Sequence, residues 1–267
     1  MTDNRSIGVF DSGVGGLSIL RCLHEILPKE STLYLADIAR LPYGAKSRQT
    51  VIRYARTAAD FLLADQPLKL LMLACNTVSA AALDTLQKEL PVPVIGTITA
   101  TVKAALRHKP QAIAVLATTG TVQSKAYTKA LRAHGFDGPI HEQACPLFAQ
   151  LVEEQWTAGP EVSAVARRCL RPIPSNVDTI VLGCTHYCLL LPVLKELLPH
   201  VTSWIDTGEA LARHAVHHLR QSNALAQRST EQREYVVTDS PDRFRVGAKQ
   251  FLGRPIPPAQ VRLIDLV

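Results

Sequence analysis

The sequence predicts an α/β protein of two similar domains, each a mostly parallel sheet flanked by helices, with the active site in the cleft between them. Three observations carry that prediction. Short apolar runs alternate with amphipathic stretches along the chain, the pattern of βαβ units. Two segments recur in the same order at nearly the same spacing. "IGVFDSGVG" from Ile7 aligns with "IAVLATTGT" from Ile113, and "LMLACNTVSAAALDTLQKELP" from Leu71 aligns with "IVLGCTHYCLLLPVLKELLP" from Ile180. The 267 residues, 47% hydrophobic and 19% charged, are enough for one large core or two smaller ones.

The elements follow in order. An apolar strand at 7–10 ends at Asp11 and turns through glycines into a helical pattern over 14–27. Strands at 32–36, 70–74 and 92–95 and helices over 48–64 and 77–90 complete the first domain, residues 1–97. The second, residues 98–206, takes strands at 112–117, 140–144, 179–183 and 201–205, with helices over 122–134 and 189–198. The remainder, 207–267, is too short for a third domain. Its helical stretch at 210–219 and the apolar "YVVT" at Tyr235 are expected to return to the first.

Composition excludes several classes. No apolar run approaches the roughly 18 residues of a membrane span, so no membrane partner is expected. "MTDNRSIG" has no apolar signal region, which predicts a cytoplasmic protein. The net charge of +6 is diffuse, with no run of five like charges and only 5% aromatics, so it reads as solubility charge and not as a nucleic-acid footprint. The six cysteines are scattered, and in a reducing cytosol all are expected to be free thiols.

Ligands of open parallel sheets bind at the carboxyl ends of the strands. There the chain places Asp11-Ser12, Asp37 and Cys75-Asn76-Thr77 in one domain, and Thr118-Thr119 and Cys184-Thr185-His186 in the other. A scattered cysteine is usually a small hydrophobe, which suits Cys22, Cys145, Cys169 and Cys188. Cys75 and Cys184 differ: each closes a strand, precedes two polar residues and heads a helix, where the dipole is expected to lower a thiol pKa. A zinc site lacks CxxC or HxxxH spacing and a fourth ligand. A dinucleotide site, suggested by "VFDSGVGGLS" with Asp37 downstream, has an incomplete GxGxxG and an acid where pyrophosphate would lie. Asp11 by itself reads as a helix cap, and Glu153-Glu154 as a solvated helix face. Two opposed thiols suit one task well: taking a proton from one face of a carbon and returning one to the other. An unperturbed thiol pKa of about 8.5 leaves both protonation states within reach. Ser12, Asn76, Thr77, Thr118, Thr121 and Thr185, with helix N-termini, could hold the substrate's charges.

The stretches "GVFDSGVGGLS", "ADIARLPYGAKS", "LACNTVSA", "PVIGT", "TTGTVQS", "LVEE", "LGCTHY" and "VTDSPDRFRVGAKQFLG" together resemble the glutamate racemases of the aspartate/glutamate racemase superfamily, over essentially the whole chain. One departure is Asp-Ile-Ala-Arg where Asp-Thr-Ala-Arg is the family's pattern. The resemblance implies a cofactor-independent interconversion of L- and D-glutamate that supplies D-glutamate for peptidoglycan synthesis, by an enzyme that is usually a homodimer. It makes Cys75 and Cys184 the acid/base pair, Asp11 and His186 their assistants, and adds Glu153. Substrate contacts would come from Asp11, Ser12, Tyr43, Gly44, Asn76, Thr77, Thr118, Thr121, Thr185 and His186. No metal or organic cofactor is expected. A racemase for aspartate or a related amino acid is the nearest alternative, because thiol chemistry does not measure side-chain length. A non-catalytic protein-binding role is the alternative of another class.

Overall fold

The computed structural model describes residues 3–227 and 232–266. Two parallel sheets organise it. The first runs in the order β10-β9-β2-β1-β3-β4 and comprises β1 (Ser6–Asp11), β2 (Thr32–Ala36), β3 (Leu68–Leu73), β4 (Val94–Gly96), β9 (Arg233–Val237) and β10 (Val261–Leu263). The second runs β6-β5-β7-β8, from β5 (Ile113–Ala117), β6 (Ile140–Ala144), β7 (Thr179–Gly183) and β8 (Ser203–Asp206). The sequence repeat is visible in the topology. β1 and β5 hold equivalent central positions, as do β3 and β7, and β1 pairs with β3 as β5 pairs with β7. These central strands are buried along their whole length, which is why, apart from Lys69 in β3 and polar residues at strand ends, they read as apolar runs. β6, "IHEQA", lies at a sheet edge and is only partly buried, consistent with its polar residues.

Helices cover the sheets: α1 (Leu17–Ile26), α2 (Arg48–Asp65) and α3 (Asn76–Glu89) follow the first three strands. Leu17, Leu20 and Leu23 bury one face of α1, and Ser47 caps α2 by accepting the Thr50 N–H at 3.3 Å. The chain passes between the sheets twice. α4 (Thr97–Leu106) leads from β4 to β5, and α10 (Thr207–Gln221) leads from β8 back to β9. α10 packs on both α1 and α4. The "YVVT" run is β9, paired with β2 in the first sheet through Tyr34 and Tyr235. The remaining helices are α5 (Thr119–Ser124), α6 (Ala126–Ala133), α7 (Pro146–Glu153), α8 (Pro160–Leu170), α9 (Leu191–Leu197) and α11 (Pro241–Leu252).

Two expected helices are interrupted. The one expected over 122–134 breaks at Lys125, which sits at φ +57°, because the Ser124 hydroxyl accepts the Ala126 N–H and restarts the chain as α6. The one expected over 189–198 becomes a 3₁₀ turn, Tyr187–Leu190, followed by α9. Pro192 has no N–H to continue a helix but fits its first turn. The cysteine expectation is also corrected. Cys145 and Cys169 form a disulfide, because the fold brings the end of β6 and α8 together with the two Cα atoms 5.8 Å apart. Cys22, Cys75, Cys184 and Cys188 are free.

Candidate active site

Asp11 ends β1 beside the end of β3, which leads into Cys75. Its carboxylate is wholly buried. Oδ2 accepts the N–H groups of Gly13 at 3.1 Å and Gly16 at 3.0 Å, while Oδ1 has no hydrogen-bond partner among the described residues. Burial raises the Asp11 pKa against the opposing pull of His186 and the two N–H groups. Asp11 is not the cap of α1, since Gly16 takes that position. A Cβ on Gly16 would meet Asp11 Cβ at 2.7 Å and the Tyr34 hydroxyl at 2.8 Å. A Cβ on Gly15 would lie 2.3 Å from Thr185 Oγ1 and 2.7 Å from His186 Nδ1. The glycine-rich turn therefore lets one domain approach the other closely. Asp37 is likewise committed within the protein: it accepts the hydroxyls of Tyr43 and Thr238, and Arg40 lies 3.5 Å away.

Cys75 occupies the position just before α3. Ser12 Oγ donates to its Sγ at 3.4 Å. The expected lowering of this thiol's pKa is overturned. Burial, with the nearby Asp11 charge, pushes it up to about 12, although the Ser12 hydroxyl and the Val78 N–H pull the other way. A helix N-terminus favours thiolate, but here desolvation is the larger effect.

Cys184 follows β7 and leads into the 3₁₀ turn, not directly into an α-helix. Its Sγ lies 3.8 Å from His186 Nδ1. His186 Nε2 lies 3.3 Å from Glu153 Oε1, an ion-pair distance without hydrogen-bond alignment. Burial alone would lower the imidazole pKa, yet Cys184 and Glu153 together outweigh it and raise it to about 10. The ring packs edge-on against Phe251 of α11 at 5.5 Å. Glu153 is thus part of the site and not a solvated face. Its neighbour Glu154 is exposed and pairs with Arg243 at 2.9 Å.

One cavity collects most of the predicted residues: Ser12, Tyr43, Gly44, Cys75, Asn76, Thr77, Thr118, Glu153, Cys184, Thr185 and His186. Asp11 and Thr121 stand behind its wall. Thr121 is fully buried, 3.1 Å from Thr118 Oγ1 and 3.4 Å from Thr77 Oγ1, with Thr77 and Thr118 themselves 2.9 Å apart across the domains. Asn76 gives its side chain to the protein: Oδ1 accepts the Tyr127 hydroxyl at 2.7 Å and Nδ2 lies 3.4 Å from Thr207 Oγ1. Cys188 turns away, its thiol donating to the Thr185 carbonyl. Thr119, already placed at a strand end by the sequence, also lines it, and the walls that sequence reasoning missed are Leu41, Pro42, Ala45, Pro146, Ala149 and Gln150. The one available signal was in "PLFAQLVE", where Pro146, Ala149, Gln150 and Glu153 share a helical face.

Strand ends of two sheets, each contributing one thiol to a shared cleft, define a two-domain α/β enzyme acting on a small polar molecule. Residues 7–215 match the family profile described as Asp/Glu/Hydantoin racemase, and the chain belongs to that family. It is 42% identical to a glutamate racemase of Geobacter metallireducens over 253 residues, 93% of each chain. Among solved structures, a glutamate racemase isoform from Bacillus anthracis is 36% identical with a TM-score of 0.92, covering 99% of this chain and 98% of that one. A glutamate racemase from Francisella tularensis, crystallised with D-glutamate, is 35% identical with a TM-score of 0.92 over the same shares.

Proposed function

We propose that this protein interconverts L-glutamate and D-glutamate, with Cys75 and Cys184 exchanging protons with the substrate's α-carbon from opposite sides. The observation that carries the proposal is the pairing of each thiol with its own assistants in one cleft. Cys75 has Ser12 on its sulfur and Asp11 behind it, and Cys184 has the His186–Glu153 pair. His186 takes up the proton of the Cys184 thiol, leaving a thiolate beside an imidazolium that Glu153 stabilises. That thiolate removes the α-proton of L-glutamate. Cys75, which burial keeps as a thiol, delivers its proton to the opposite face, and the reverse reaction exchanges the roles. The N–H groups of Asn76 and Thr77 at the start of α3 and the hydroxyls of Ser12, Thr118 and Thr185 receive the substrate's carboxylates. Asp11 and Thr121 act from behind the wall by positioning. The protein is further proposed to be cytoplasmic, as the lack of an apolar signal region suggests, and a homodimer whose product feeds peptidoglycan synthesis, as the resemblance implies. No helix among the described residues is long and apolar enough to cross a membrane.

The test is circular polarimetry on purified protein with L-glutamate and L-aspartate in parallel and no added cofactor. Rotation of the glutamate sample should decay to zero while the aspartate sample holds. Decay with aspartate alone, or with neither, would overturn the proposal.

A further inference from the structure

The mechanism leaves one pair of reactive groups unused, the Cys145–Cys169 bridge, and its position is informative. Cys145 is the single residue between β6 and α7, and Cys169 lies on α8. Cys145 touches three segments that carry the active site. Its N–H donates to the Ala117 carbonyl at 2.9 Å, one residue before Thr118. Its carbonyl accepts the hydroxyl of Tyr187 at 2.7 Å, one residue after His186. It also starts α7, whose last residue is Glu153. Phe148 of α7 packs edge-on against the same Tyr187 at 5.2 Å. A second surface cavity, which meets the active-site cavity at Pro146, is lined by both cysteines together with Pro146, Leu147, Val165 and Arg168. Cys145 is buried and Cys169 is half-buried, so Cys169 is the sulfur a small thiol can reach. Arg168 beside it favours an anionic reagent.

We propose that Cys145–Cys169 is a modification site for anionic low-molecular-weight thiols and disulfides, and that its state sets how firmly α7 holds Glu153 against His186. The exchange balances. A thiolate RS⁻ attacks Sγ of Cys169, forming a mixed disulfide as the Cys145–Cys169 bond breaks and Cys145 leaves as thiolate. A second RS⁻ attacks the sulfur of the bound RS group, forming RSSR and releasing Cys169 as thiolate. Two RSH are oxidised, the bridge is reduced, and the protons pass to the two cysteines. RSSR drives the reverse. The bridged form, with Cys145 tied to α8, is the more active one. This rests on the proposed role of His186 and Glu153.

The experiment equilibrates the full chain at graded ratios of reduced to oxidised glutathione. Differential alkylation and mass spectrometry read the bridge, glutamate racemisation reads activity, and hydrogen–deuterium exchange reads residues 146–153. Opening the bridge should lower kcat/KM about three- to tenfold, less than the roughly 10²-fold that a 1 Å misplacement at the reacting atoms can cost, because Glu153 acts through His186, and speed exchange over α7. The Cys145→Ser/Cys169→Ser protein should sit at the reduced level and ignore the glutathione ratio. If it does not fold, Cys169→Ala alone should behave the same way. Constant activity while the bridge opens, a bridge variant that still responds, or exchange over α7 that does not change would each overturn the proposal. A protein inactive in both states counts against the two-thiol reading, and the exchange data then decide the bridge by themselves.

Discussion

Glu153, the last residue of α7, brings its Oε1 to 3.3 Å from Nε2 of His186, on the opposite side of the ring from Cys184. This contact helps keep the imidazolium charged up to about pH 10. The charged form exists below its pKa and is lost above it. Removing Glu153 removes one cause of the upward shift, so whatever depends on the imidazolium must fail at lower pH. For Glu153→Gln, the alkaline limb of kcat/KM should move down, and the rate near neutrality should fall about tenfold, below the 10²–10⁴ range of a direct acid or base because Glu153 acts through His186. A pH–rate profile from 7 to about 11 checks this, and an alkaline limb that stays in place would remove Glu153 from the mechanism.

The two thiols make a sharper prediction. Thiols exchange protons rapidly with solvent, so in deuterated water newly formed enantiomer should carry deuterium at Cα. With Cys184→Ala, racemisation should fall by at least about 10², yet Cys75 can still remove and return the α-proton of D-glutamate. D-glutamate should therefore gain deuterium without inverting, and Cys75→Ala should do the same with L-glutamate. NMR of the α-position reads both. Product that retains its original hydrogen in the wild type would exclude the two-thiol scheme.

The central strands were legible in the sequence because burial on both faces leaves β1, β3, β5 and β7 as short apolar runs ending in polar residues. The repeat then pointed to Cys75 and Cys184 together. Interactions set by distant parts of the chain were not legible. Glu153 and Glu154 look alike in "LVEE", and only the packing of α7 beside the 3₁₀ turn sends one to His186 and the other to solvent. The raised pKa of Cys75 depends on desolvation and on Asp11, 64 positions earlier. Cys145 and Cys169 carry no local mark of pairing, since connectivity is a property of the folded chain.

Close approach of the domains at Gly15 can be tested directly. Gly15→Ala drives a methyl group into Thr185 Oγ1 and His186 Nδ1. Overpacking of this kind costs about 1–3 kcal/mol, and His186 has to yield for the methyl to fit. The variant should lose more in kcat/KM than its melting temperature implies. Wild-type kinetics at any stability would contradict the contact.

Lys69 and Glu30 test the first domain away from the cleft. Both are buried, with Nζ 2.5 Å from Glu30 Oε2, and Lys69 also donates to the carbonyls of Asp3 at 2.7 Å and Ala224 at 2.8 Å. Lys69→Met strands a buried carboxylate and should destabilise the protein by about 3–5 kcal/mol. Lys69→Met with Glu30→Leu should recover part of that loss. Urea denaturation measures both, and a double variant less stable than the single one would refute the pairing.

The face-by-face assignment of the assistants gives the most specific prediction. His186 stands 3.8 Å from Cys184, while Asp11 lies beside Cys75 and raises its pKa. Each assistant should therefore favour the proton transfer of its own thiol: His186 when Cys184 takes the proton from L-glutamate, Asp11 when Cys75 takes it from D-glutamate. The equilibrium constant between enantiomers is one, so any variant must lose kcat/KM equally in both directions. An asymmetry can appear only in kcat and KM separately, or in isotope effects. His186→Asn makes removal of the proton by Cys184 more rate-limiting, so the primary deuterium isotope effect should change more for L-glutamate labelled at Cα than for the D-enantiomer. Asp11→Asn should show the reverse, although its carboxylate also holds the Gly13 and Gly16 N–H groups, so the asparagine must keep those contacts. A crystal structure or unchanged melting temperature of the variant verifies that. Equal isotope responses in both directions for both variants would dissolve the pairing of assistants with thiols, and leave Cys75 and Cys184 as the two proton carriers.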